Sequence, residues 1–225
     1  MCENIKSINE IIKSLAKIPT AAIYEASGTG ALDSKIKPLF KEMKICGSAV
    51  TVNAYPNDNL TIHKAIYECT LGDILVINVD GFTEAGYWGE VMTLAAKGRG
   101  IKGIVINGGV RDVEIIEKLN FPIFCQNICI RGTRKRNFGT INHEIILGGV
   151  RIKPKDIIVG DRDGVVVVPL EKAQTILKDA TERIKKEKNI VEELKSKTTL
   201  EIYSLEKYIP PDKEIRNLNI IEEGE

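Results

Sequence analysis

Apolar residues recur at helical spacing over roughly residues 5–27, and the glycines of "GTGAL" (28–32) end that region. The short β-branched run "ICGSAVTV" (45–52) predicts a strand. "NLTIHKAIYEC" (59–69) predicts a helix with Leu60, Ala65 or His63, and Tyr67 or Ile66 on its inner face. "GDILVINV" (72–79) is apolar nearly throughout, as a buried strand would be. A glycine-rich loop, "DGFTEAGYWG", leads into "EVMTLAAKGRG", where Val91, Leu94, Ala95 and Gly98 share one helical stripe. "GIVIN" (103–107) is a further buried strand, and "VEIIEKL" (113–119) a short helix with Asp112 as its cap. From 72 to 125 the order is therefore strand, helix, strand, helix, strand, which indicates an α/β class.

Beyond residue 125 the period shortens. "IILGGVRI" and "DIIVGDRDGVVVVP" read as strands, the second a hairpin turning on "DRDG". That segment lacks the further acidic positions of a calcium loop, so a turn is the reading. A charged helix over roughly 170–196 carries Ala173, Ile176, Leu177, Ala180 and Ile184 at helical spacing. The last residues, with Pro210-Pro211, are expected to form a peripheral or interface tail beyond one domain over 1–200.

Composition narrows the function. Lys plus Arg (32) nearly balances Asp plus Glu (31), which gives no reason to expect nucleic acid or a membrane surface as partner. Cys2, Cys46, Cys69, Cys125 and Cys129 are odd in number and contain no CxxC pair, so reduced thiols are expected rather than a disulfide framework or zinc site. "MCENIKSINE" lacks the basic start of a signal peptide, and no apolar run approaches the roughly 20 residues that cross a bilayer. The expected location is cytoplasmic. Asp33 stands where the third glycine of a dinucleotide fingerprint belongs in "GTGALD", so that motif is read as a glycine turn.

The chemistry gathers at "INGGVRD" (106–112). The strand over 103–107 delivers the chain to Gly108-Gly109, and Arg111-Asp112 follow at its carboxyl end, where open α/β sheets bind ligands. "GYWGE" brings Glu90 to the first turn of another helix and leaves the Val91 and Met92 amides without intrahelical acceptors. Two parallel crossovers would place both features on one rim. Arg111 and the amides could then receive an anion, and Glu90 and Asp112 could hold a hard divalent cation, a combination suited to enolate chemistry. The same residues also fit a helix cap, a helix-dipole acid and a surface ion pair.

"GYWGEVMTLAAKGRGIKGIVINGGVRD", with "PKDIIVGDRDGVVVVP" downstream, resembles the family of class II 4-hydroxy-4-methyl-2-oxoglutarate aldolases and the regulator of ribonuclease activity A. The likeness runs from about residue 19 to 185, and the aldolase signature of an acid, twenty residues and Arg-Asp is matched by Glu90 and Arg111-Asp112. The resemblance implies a swivelling β/β/α fold, assembly as homotrimers or hexamers, and Mg2+- or Mn2+-dependent cleavage of a 2-oxo acid to pyruvate, with oxaloacetate decarboxylation through the same enolate. It implies that Asp112 ligates the metal, that Glu90 acts on it directly or through water, and that Arg111 binds the pyruvyl oxygen or carboxylate. Gly89, Val91 and Met92 would hold the carboxylate at the backbone, and Glu187 is the candidate acid from a neighbouring subunit. The alternative it carries is a non-catalytic regulator that binds a ribonuclease or RNA helicase.

Two departures from the family pattern are visible. Asn107 stands where many relatives have Asp, and Lys155 replaces the glycine of a Pro-Gly-Asp turn. The basic loop "RGTRKRN" (131–137) is read as solvated, or else as a contact for a distal carboxylate or RNA. His63 is read as structural, with a metal-held water as the better base; Trp88 is expected at the mouth of its loop.

Overall fold

The structure is a computed structural model and describes residues 7–209. Cys2 and the tail with Pro210-Pro211 lie outside the described residues. α1 (Ile8–Leu15) and α2 (Thr20–Ser27) open the chain, followed by β1 (Lys37–Pro38), β2 (Ile45–Asn53) and α3 (Leu60–Glu68). Next come β3 (Asp73–Asn78), β4 (Gly86–Trp88), α4 (Glu90–Gly98), β5 (Gly103–Ile106), β6 (Gly109–Val110), α5 (Val113–Lys118), β7 (Ile123–Cys125) and β8 (Asn127–Ile128). The remainder is β9 (Thr140–Ile141), β10 (Ile145–Leu147), β11 (Val150–Ile152), β12 (Ile157–Gly160), β13 (Val165–Val168), α6 (Ala173–Glu193) and α7 (Thr199–Ile202).

The main sheet runs β1-β7-β5-β3-β2-β12-β13, with β9 added on β2. β2, β3, β5 and β7 are parallel, as the strand and helix alternation requires, while β12 and β13 form the antiparallel hairpin that turns on Asp161–Gly164. Strand alternation sorts side chains to the two faces. Leu75, Ile77, Ile104 and Ile106 pack with α3, α4 and α5, while Ile74, Val76 and Val105 pack beneath the β10–β11 hairpin. A third cluster seats Ile11 of α1, Ile23 of α2 and Ile176 of α6 on Ile157, Val159, Val166 and Val168.

The chain divides into two compact units, Met1–Ala180 and Thr181–Glu225. The sheet and its clusters belong to the first. In the second, α6 carries the Arg183–Glu187 ion pair, Glu193 at its end pairs with Lys197 beyond it, and Thr198 and Glu201 form a capping box on α7. No helix among the described residues is long and apolar enough to cross a membrane.

Four expectations are corrected. The opening helix is two helices, because Pro19 at the start of α2 has no N–H to continue α1 and biases Ile18 out of helical conformation. On α3 the buried residues are Thr61, Ile62, Ala65 and Ile66, and Tyr67 is exposed. α4 turns its other face inward: Met92, Thr93 and Ala96 are buried, whereas Val91 is 75% and Leu94 49% exposed. Both stripes repeat at helical spacing; the phase is set by polar contacts, since Trp88 Nε1 donates to Thr93 Oγ1 (2.8 Å), which donates to the Gly89 carbonyl (2.9 Å). Trp88 itself is fully buried and stacks on Phe121 with centroids 6.0 Å apart. The loop expected to expose it folds as β4 of a second, three-stranded sheet, β4-β6-β8.

Two conformational details stand apart from this packing. Lys155 has φ +74°, the left-handed conformation that favours glycine, and its ammonium lies 3.6 Å from buried Asp73. Asp161 of the hairpin turn caps α2 from across the fold, accepting from the Thr20 amide (2.8 Å) and hydroxyl (2.6 Å). Asp161→Ala is expected to lower stability by about 1–2 kcal/mol, read as a drop in the urea midpoint; a wild-type midpoint would show that the α2 start needs no cap.

Candidate functional site

The carboxyl ends of the parallel strands are tied together by amides. Asn107, after β5, accepts from the Val79 amide at 2.7 Å and donates to Asn78 Oδ1 at 2.7 Å. Asn78 donates in turn to Asn53 Oδ1 at 2.6 Å, so one chain of side-chain amides spans the ends of β5, β3 and β2. An aspartate at 107 could accept from Val79 but could not, when ionised, donate to Asn78. This is the local consequence of the Asn107 departure.

From Asn107 the chain enters β6, which lies between β4 and β8 with parallel pairing on both sides. Gly109 is required there, because a β-carbon would approach the Ala85 and Thr83 carbonyls to 2.6 and 2.8 Å. The Arg111 amide then donates to the Trp88 carbonyl (2.9 Å), which locks the Arg-Asp pair to the segment that starts α4. Asp112 follows with φ +59°, in the left-handed region that Asp tolerates better than most residues.

Asp112 occupies the N-cap position of α5 but makes no side-chain hydrogen bond there. Its Oδ2 instead accepts from the Glu90 amide at 3.0 Å, so it caps the neighbouring helix, α4. That corrects its expected capping role. A β-carbon at Gly89 would overlap this same oxygen, which makes glycine the residue that fits. The Arg111 Nε lies 3.7 Å from Asp112 Oδ2, with both side chains more than a third exposed. Asp112 Oδ1 takes no hydrogen bond among the described residues.

Thus Gly89, Glu90, Arg111 and Asp112 are brought together on one rim, and Val91 and Met92 lie in the first turn of α4 without intrahelical acceptors. Glu187 stands in the second unit, where its carboxylate meets Arg183 Nε at 3.3 Å.

Sequence reasoning missed the anchor of the basic loop. Asp58 is buried and accepts from the amides of Leu60 (3.0 Å), Arg136 (2.7 Å) and Asn137 (2.9 Å). Burial alone would raise its pKa, but these amides and the Lys135 ammonium outweigh it and hold the carboxyl below its ordinary value. The loop backbone is therefore fixed, although the Arg134, Lys135 and Arg136 side chains are exposed. Arg111 Nη1 would lie 3.8 Å from a β-carbon at Gly132, which brings this loop beside the rim. The signal was Asp58 immediately before the helix start, with nothing to indicate that it would also bind amides 78 and 79 residues away. His63 is half-buried, and burial and the Lys135 ammonium hold its pKa below the ordinary value.

Residues 20–167 match the family described as RraA-like, Aldolase/RraA. The chain belongs to the RraA-like family. It is 39% identical over 175 residues to a protein of Halalkalibacterium halodurans named "Putative 4-hydroxy-4-methyl-2-oxoglutarate aldolase", covering 77% of this chain and 83% of that one. An uncharacterised protein from Pseudomonas syringae has a similar structure, with TM-score 0.80, 26% identity, and coverage of 92% and 98% of the two chains. Streptomyces coelicolor RraAS2, called an unusual member of the RNase ES inhibitor RraA protein family, superposes with TM-score 0.73 at 28% identity over 81% and 97%. The α/β fold of this RraA-like chain is thus shared with RraAS2, while its sequence is similar to a protein that carries an aldolase name.

The anchored carboxylate predicts a pH signature. Because the folded Asp58 pKa lies below its unfolded value, its contribution is complete above the unfolded pKa and is lost as pH falls through the folded one. Asp58→Asn should cost about 2 kcal/mol at pH 7, with the gap from wild type closing in acid. Urea midpoints measured from pH 7 to 3 check this; a gap independent of pH would contradict it.

Proposed function

We propose that this protein is a divalent-metal-dependent carbon–carbon lyase that cleaves a 2-oxo acid to pyruvate. The observation that carries the reading is the convergence of Arg111, Asp112 and the start of α4, fixed by the Glu90 amide to Asp112 hydrogen bond of 3.0 Å. The 39% identity to a protein named as an aldolase supports the same chemistry.

Whether a metal fits can be judged from the donor set. No group of three or more His, Cys, Asp or Glu among the described residues could hold an ion. Mg2+ and Mn2+ favour oxygen donors, and Mg2+ is commonly held by one or two carboxylates with water and substrate completing its shell. Asp112, with Oδ1 free of hydrogen bonds among the described residues, and half-buried Glu90 fit that requirement. A bound cation would supply Lewis-acid stabilisation of negative charge on the substrate oxygen. Glu187, from a neighbouring subunit of a homotrimer or hexamer, is the further acid proposed for the assembled site.

The amides of Val91 and Met92, at the positive end of α4, receive the substrate carboxylate. Arg111 donates to the 2-oxo oxygen and holds it while charge develops there. In the aldol substrate, the hydroxyl proton leaves to water, the adjacent carbon–carbon bond breaks, and its electron pair moves to give the pyruvate enolate. With oxaloacetate the same bond position releases carbon dioxide. A proton from water then returns to the methylene carbon to complete pyruvate.

A second reading, a non-catalytic regulator binding a ribonuclease or RNA helicase, is favoured by the likeness to RraAS2. A partner captured equally with and without metal would support it.

Pyruvate release from 4-hydroxy-4-methyl-2-oxoglutarate and from oxaloacetate should require Mg2+ or Mn2+, stop with chelator, and exceed a protein-free metal control. Arg111→Ala should reduce kcat/KM by about 100-fold or more, the scale of losing one oxyanion donor. Gly89→Ala should impair turnover with the fold retained, since the new β-carbon contests the place of the Asp112 carboxylate. No release above the control from either substrate would defeat the proposed lyase.

A further inference from the structure

The amino ends of the parallel strands carry a second feature. There a cleft of about 520 Å³ is bordered by Lys17, Lys44, Lys102 and Arg162. These cations come from four separate segments: the α1–α2 turn, the residue before β2, the residue before β5, and the β12–β13 turn. The register places Ile45 opposite Gly160 and Gly103 beside Ile74, so the segments meet at the end of the sheet opposite Arg111-Asp112. None of the four takes part in an ion pair among the described residues.

The negative charge near them is limited. Asp161 and Asp163 also line the cleft, but Asp161 is engaged by the Thr20 amide and hydroxyl and by the Asp163 amide. The Cys46 thiol donates to the Ile12 carbonyl at 3.3 Å, and burial pushes its pKa up to about 12, so it adds no anion. Four cations thus share a concave surface with two carboxylates, Asp161 and Asp163, which leaves the lining net positive by two charges. Concavity focuses their field, and like charges held together without partners favour a multiply charged anion over a single one.

The walls select further. Ile18, Ile45 and Val159 supply an apolar floor beside the cations. A β-carbon at Gly160 would approach Ile45 and Phe124 side-chain atoms to 2.9 Å, so the packed strands leave little room for the floor to rearrange. The volume falls within the range of small-molecule sites. We propose that this cleft binds a small molecule with an apolar or planar body and a di- or triphosphate group, at a site separate from the candidate lyase centre.

The test titrates the full-length protein with ADP and, separately, with inorganic pyrophosphate by isothermal calorimetry. ADP should bind saturably at one site and weaken as salt is raised. Lys44→Ala and Lys102→Ala should each weaken it about 5- to 10-fold, equivalent to the loss of one modest charge contact. The double reversal Lys44→Glu/Lys102→Glu should abolish binding, with unchanged thermal melting establishing that it folds. Arg111→Ala should bind as wild type, and pyrophosphate should compete with ADP. The proposal is overturned by the absence of saturable ADP binding at millimolar concentration, by binding that survives the double reversal, by loss of binding in Arg111→Ala, or by a failure of pyrophosphate to compete.

Discussion

The hydrogen bond from the Glu90 amide to the Asp112 carboxylate joins two helix starts that are twenty-two residues apart in sequence. It requires Asp112 in a left-handed backbone conformation and a glycine at 89 to leave space for its oxygen. It also requires β4 and β6 side by side, which buries Trp88 and turns Thr93 of α4 inward. Remove that contact, and the first amide of α4 loses the Asp112 carboxylate that caps it and ties the helix start to the Arg111-Asp112 pair. Its geometry links core packing to the chemistry of the rim.

The sheet has two unlike ends because its parallel strands all point the same way. At their carboxyl ends, Asn107, Asn78 and Asn53 exchange side-chain hydrogen bonds, a neutral support on which charged groups can be displayed. At their amino ends the neighbouring turns bring cations together without such a polar relay. Buried β3 and β5 run between these ends, so the two environments are separated by apolar interior. One fold can therefore present two electrostatic surfaces while the chain as a whole is almost neutral.

Much of the architecture was legible because burial leaves a period. "GDILVINV" and "GIVIN" are too uniformly apolar for exposed strands, and the turn at "DRDG" is bracketed by β-branched runs; both features correspond to observed elements. The neighbourhood of Glu90 and Arg111-Asp112 was legible from crossover geometry. The phase of α4 was not, since Val91 and Leu94 repeat as regularly as Met92 and Ala96, and only the Trp88–Thr93 bond decides between them. Pro19 did carry the signal for two opening helices, which a broad apolar window concealed. Asp58 and Asp161 could not be assigned their distant partners from local pattern, because their acceptors' value lies in tertiary contacts.

The left-handed turn at Lys155 gives a different kind of constraint. Glycine would relieve the backbone, yet it would also take away the ammonium beside Asp73, whose carboxylate is buried and otherwise bonded to the Thr70 amide and hydroxyl. Positions 73 and 155 are therefore coupled through one trade: the easier backbone of a glycine at 155 would leave the buried Asp73 carboxylate with its Thr70 bonds and no cation beside it.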